Sequence, residues 1–171
     1  MTDMENIIEV ALVHQRNGKL QRARYLYDKI LQIDPRNSDA IHLIGMIEYS
    51  DHKYELAIAL IEKAIKLSPG IPDYHINLTS CYIAASNLVK AKRHALIAIT
   101  LDHNSNKAYY NLGNILFAEG DPEGAVINYK KALSVKSDNQ SIWSNYLFAL
   151  NFSIGSKPER IFLENRKWGQ Q

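Results

Sequence analysis

Tyr109-Tyr110-Asn111-Leu112-Gly113-Asn114-Ile115-Leu116 is followed, past Gly120, by Ala125-Val126-Ile127-Asn128-Tyr129. Leu112, Gly113 and Leu116 stand one and four residues apart and form one helical stripe. Gly120 sits where this first helix must turn into a second, a place suited to a left-handed residue. Gly113 and Ala125 are small, and small side chains let two helix backbones approach closely. The stretch predicts an antiparallel pair of helices.

Shifting the sequence by 34 residues reproduces the pair along the chain. Ala23, Ala57, Ala91 and Ala125 fall in register, as do the aliphatic Ile33, Leu67, Leu101 and Val135. Ile30, Ala64, Ala98 and Ala132 form a further column, and Leu31, Ile65, Ile99 and Leu133 another. Upstream, Val10, Ile44, Leu78, Leu112 and Tyr146 align, beside Ala11, Gly45, Thr79, Gly113 and Leu147. Gly18 matches Gly120 at the turn, where His52 and Ser86 are less comfortable occupants. Pro35 and Pro69 stop the second helix, with His103 and Ser137 at the later places.

Tyr109-x2-Leu112-Gly113-x2-Leu116 with Ala125-x3-Tyr129 resembles the tetratricopeptide repeat, W-x2-L-G-x2-Y then A-x3-F then P. The resemblance covers nearly the whole chain. It implies an all-α, right-handed solenoid of antiparallel helix pairs, with first helices on a concave face and second helices on a convex one. The expected units are 4–37, 38–71, 72–105 and 106–139, with a partial fifth from Gln140. Together they make an array over 1–155, followed by a capping helix and tail over 156–171. The capping helix should dock through the side that bears Ile161 and Phe162, with Asn165 and Trp168 along the same side.

The segment Ser144-Asn145-Tyr146-Leu147-Phe148-Ala149-Leu150-Asn151-Phe152, then Ser156 to Phe162, then Arg166-Lys167-Trp168-Gly169, carries a second resemblance. It is similar to the junction between repeats and catalytic domain in bacterial O-linked N-acetylglucosamine transferase-like, SPINDLY-type proteins. In that family the nucleotide-sugar site follows this point, so no catalytic residue is carried over and none is expected here.

Composition excludes several functions. At 46% hydrophobic and 22% charged residues with a formal charge of +2, the chain lacks the concentrated basic charge of a nucleic-acid or anionic-membrane surface. Its one cysteine, Cys81, allows no internal disulfide and no thiolate cluster, and is expected to be packed and inert. The acidic start and the lack of a long apolar run predict a cytoplasmic protein without a membrane span. The sequons at Asn77, Asn139 and Asn151 are read as chance matches. The six histidines have no helical metal spacing, so neither a metal nor a cofactor is expected. Lys90, Lys92, Arg93 and His94 are read as a solvated second-helix face.

The pointed feature is a column of asparagines, Asn77, Asn111 and Asn145, each 34 residues from the next. A carboxamide donates and accepts at once, so it can pair with any peptide unit whatever its side chain. The transferase resemblance implies such a ladder in the concave groove, holding an extended peptide. The alternatives are bonding between helices and plain solvation. Asp73, Lys107, Tyr110, Asn114 and Phe148 project near the column by helical spacing. The expected function is a protein-interaction module for an extended segment of a partner protein. The alternative is the substrate-recruiting arm of a transferase, and a third reading is self-association through an exposed repeat end.

Overall fold

The computed structural model describes residues 3–153 and 158–169; Ser156 and Lys157 of the expected capping motif lie outside them. The described residues form ten α-helices and no strand. They group into two compact units, Met1–Ala85 and Ser86–Gln171.

The first unit holds α1 (Asp3–Arg16), α2 (Leu20–Ile33), α3 (Ser38–Ser50), α4 (Tyr54–Leu67) and α5 (Pro72–Ala84). Successive helices pack on one another. Its core includes Ala11, Ala23, Tyr27, Ile30, Ile44 and Ile47. Gly45 permits the α3–α4 approach, since a Cβ there would lie 2.9 Å from Ile61 and 3.3 Å from the Ala57 carbonyl. Glu48 is buried to 1% exposure on α3, and Arg24 and Lys53 neutralise it.

The second unit holds α6 (Leu88–Leu101), α7 (Asn106–Ala118), α8 (Pro122–Val135), α9 (Gln140–Phe152) and α10 (Pro158–Trp168). Ala125, Tyr129, Ala132, Trp143, Tyr146 and Leu150 are among its core residues. At Gly113 a Cβ would lie 2.5 Å from the Tyr129 ring, so glycine sets how closely α7 and α8 approach.

Helix ends follow the same period. Asn37, Ser105 and Asn139 cap α3, α7 and α9 by accepting the backbone N–H three residues on, at 3.0, 3.3 and 3.2 Å. Asn87 and Asp121 do the same for α6 and α8, at 3.1 and 2.8 Å. Gly18 and Gly120 have φ of 71° and 82°, and His52 and Ser86 are forced into the same region at 61° and 58°. The second helices all end in one register, at Ile33, Leu67, Leu101 and Val135, although only Pro35 and Pro69 lie beyond them. At Asp34 and Asp102 a carboxylate accepts the N–H two residues on and shapes the exit turn.

Several apolar column positions are solvated, among them Ile33, Leu101 and Val135 at the ends of second helices. Val10 is 46% exposed, unlike its column-mates Ile44 and Leu78. On α10, Ile161 packs on the second unit's core, but Phe162 is 67% exposed. Residues 161, 164 and 168 recur at helical spacing, whereas 162 is turned about 100° away from Ile161. The side of α10 toward α9 thus includes Glu164, not Phe162.

Candidate functional site

In the second unit, two first helices lie side by side and each exposes a stripe. On α7 it runs Lys107, Tyr110, Asn114, Phe117, and on α9 it runs Asn145, Phe148, Phe152, with helical spacing throughout. The stripes meet through one polar cluster. Asn145 Nδ2 donates to Tyr110 Oη at 3.1 Å and to Asn114 Oδ1 at 3.0 Å. Tyr129 Oη, from α8, donates to the same Asn114 oxygen at 2.8 Å. Burial is the main force raising the Tyr129 hydroxyl above its usual pKa, so it stays a donor.

This cluster fixes the Asn145 carboxamide with its nitrogen toward α7. Among the described residues no donor reaches its Oδ1, and the side chain is half-buried. Asn111 is different: it is 9% exposed and already engaged by the protein. Lys107 and Phe148 are solvent-exposed, and Tyr110 and Asn114 half-buried. An oriented acceptor, a cation and an exposed ring therefore share one face.

In the first unit, Asn77 on α5 shows the same habit toward α3. Its Nδ2 lies 2.9 Å from His42 Nε2, the residue 35 positions earlier, as Tyr110 is to Asn145. Burial pushes His42 down to about 4, against the opposing pull of Asp39 and Asp73, so its ring is neutral and accepts the amide proton. Tyr74 stacks on His42 at 4.5 Å and donates to Asp39 at 2.5 Å. Asp73 is exposed. Asn77 and Asn145 thus bond between helices.

The second-helix basic run is not a free cationic patch, since Lys92 pairs with Glu119 at 2.6 Å. Cys81 is fully buried, and burial pushes its thiol up to about 12. No group of His, Cys, Asp and Glu among the described residues could hold a metal ion. None of the described helices is long and apolar enough to cross a membrane. Sequence reasoning missed His42, Phe117 and Phe152 as neighbours of the column. The repeat period offered one signal: His42 and Tyr110 stand 68 residues apart in a single column.

The family model of the tetratricopeptide repeat matches residues 38–71 and 107–139. This chain carries tetratricopeptide repeats. Among similar proteins, BBSome complex member BBS4 of Xenopus tropicalis is 26% identical over 132 residues, 77% of this chain and 25% of BBS4. The chain thus spans about a quarter of that relative. Among solved structures, PilF of Pseudomonas aeruginosa matches 98% of this chain and 73% of its own at a TM-score of 0.85 and 20% identity. The first tetratricopeptide domain of Spaghetti (RPAP3), bound to the HSP90 peptide SRMEEVD, matches 69% of this chain and 94% of its own, with a TM-score of 0.66 and 22% identity. The fold class is that of the all-α, right-handed tetratricopeptide-repeat solenoids.

Proposed function

We propose that this chain is a protein-interaction module that binds an extended segment of a partner protein on the first-helix face of its repeats. The observation that carries the reading is Asn145: Tyr110 and Asn114 orient its carboxamide, and its carbonyl oxygen is left for a ligand. An acceptor of that kind takes a backbone N–H, which every peptide except at proline supplies. The peptide held by the Spaghetti domain supports the same use of the fold. Asn111 and Asn77 act in this account chiefly by holding their helices, so recognition rests on Asn145 with Lys107, Tyr110 and Asn114 around it.

The test is selection of a displayed random heptapeptide library on the full chain, then titration of the selected peptides. Asn145→Ala should weaken binding by about tenfold, the worth of one net hydrogen bond of about 1 kcal/mol plus lost orientation. Tyr110→Phe removes one of the bonds that orient Asn145 but leaves its oxygen, and should cost less. Equal affinity of parent and Asn145→Ala, both folded, would refute the reading. The alternative, a substrate-recruiting arm of a glycosyltransferase, rests on the resemblance of residues 144–152, 156–162 and 166–169. No residue of this chain is assigned to sugar transfer under either reading.

A further inference from the structure

Just past the polar cluster the two stripes turn aromatic. Phe117 on α7 lies 5.4 Å from Phe148 and 5.7 Å from Phe152 on α9, ring centre to ring centre, and Phe148 and Phe152 are 5.0 Å apart. The sequence holds four phenylalanines, so most of its phenyl surface is gathered at this place. It is not core, because Phe148 is 56% and Phe152 57% exposed. Three touching rings, two of them more than half exposed and Phe117 half-buried behind them, form a continuous apolar surface of the kind that marks an interaction site.

We infer that this phenyl trio is the specificity anchor of the module, and that it takes one large apolar side chain (Phe, Leu, Met or Trp) of the bound segment. This deepens the peptide-binding reading and rests on it. Two magnitudes favour that occupant over a second copy of the chain. An aromatic side chain carries about 150–250 Å², so two rings a little over half exposed leave about 200 Å², and Phe117 adds less. A stable protein interface needs about 800 Å² on each side, whereas one large partner side chain covers about 150–250 Å². The spacing also fits. Phe148 and Phe152 lie about 4.5 and 10.5 Å beyond Asn145 along α9, and an extended segment advances about 3.3 Å per residue. A segment held at Asn145 and running along α9 therefore sets a side chain one to three residues away over the rings.

The test uses the full chain and the displayed heptapeptide library. Selected peptides should share a Phe, Leu, Met or Trp at one position. Replacing that residue with Ala should weaken binding by at least about tenfold, equivalent to about 1.4 kcal/mol. Phe148→Ser and Phe152→Ser should each do the same. On Phe148→Ser the peptide substitution should cost little more, because ring and side chain act as one contact. The peptide substitution needs no altered protein, so that arm holds even for a variant that misfolds. Apolar peptides indifferent to both phenylalanine variants would overturn the anchor. So would selected peptides without an apolar residue that still depend on Asn145, and that result would leave the parent reading intact. No enrichment at all would sink both. A concentration-dependent dimer dissolved by Phe148→Ser, or capture by phosphatidylcholine vesicles lost in the same variant, would assign the rings to another occupant and overturn the inference.

Discussion

Replacing Gly113 with alanine is the sharpest test of how the helix pairs are packed. The new Cβ would lie 2.5 and 2.7 Å from two Tyr129 ring carbons and 3.1 Å from a third. Carbon atoms at rest sit about 3.5–4.0 Å apart, so α7 and α8 must separate or the ring must move by about 1 Å. Tyr129 cannot swing into solvent, being 2% exposed and bonded through its hydroxyl to Asn114. Overpacking of this kind costs about 1–3 kcal/mol, and loss of the Asn114 bond adds about 1. Alanine's better helix propensity returns up to about 1 kcal/mol. The net expectation is destabilisation by about 1–3 kcal/mol, read as a lower urea midpoint at unchanged slope. Gly70→Ala is the control: nothing lies within 4 Å of its Cβ, so stability should hold or rise slightly. A Gly113→Ala midpoint equal to or above the parent's would show that the α7–α8 contact is not set by this glycine.

Three other outcomes follow from the structure. Ser86→Gly should stabilise by up to about 1 kcal/mol in thermal or urea melts, because Ser86 sits at φ 58° where a Cβ is penalised. His42 has its folded pKa depressed to about 4 against 6.5, so the unfolded chain binds its proton first. Its contribution is complete above about pH 6.5 and is lost as pH falls toward 4, by about 2–3 kcal/mol at pH 4.5; His42→Gln should flatten that part of the urea-midpoint profile. Ending the chain after Ser153 should cost the second unit about 1–2 kcal/mol and promote association visible by light scattering, because Ile161 then no longer covers its core.

The repeat and the helix pairing were legible because they depend on side-chain size at fixed spacing. Ala23, Ala57, Ala91 and Ala125, all fully buried, and Gly113 against Tyr129 are contacts that the 34-residue period already implies. The caps were periodic too, yet went unread, since Asn, Asp and Ser perform one task and form no column of identical letters. Phe162 was assigned to the docking side from its neighbour Ile161, but adjacent helical residues diverge by about 100°. Of the two cations on the buried Glu48, Lys53 is five residues away, but Arg24 is on another helix and 24 residues distant, so the sequence did not mark this glutamate as buried. For the asparagines, sequence supplied the column but not the orientation. That depends on Tyr110 and Asn114, which are 35 and 31 residues from Asn145.

The central claim is that ligand lies on the first-helix face, and NMR of the full chain with a selected heptapeptide tests it most directly. The signals to follow are the Asn145 and Asn114 side-chain amides and the Phe148 and Phe152 rings. Val89 and Ile127, on second helices and 80% and 57% exposed, control for mere stickiness toward exposed apolar groups. The account predicts saturable shifts at Asn145, Asn114, Phe148 and Phe152 with a common dissociation constant, and none at Val89 or Ile127. Shifts centred on Val89 or Ile127, with the Asn145 amide unmoved at saturation, would contradict it.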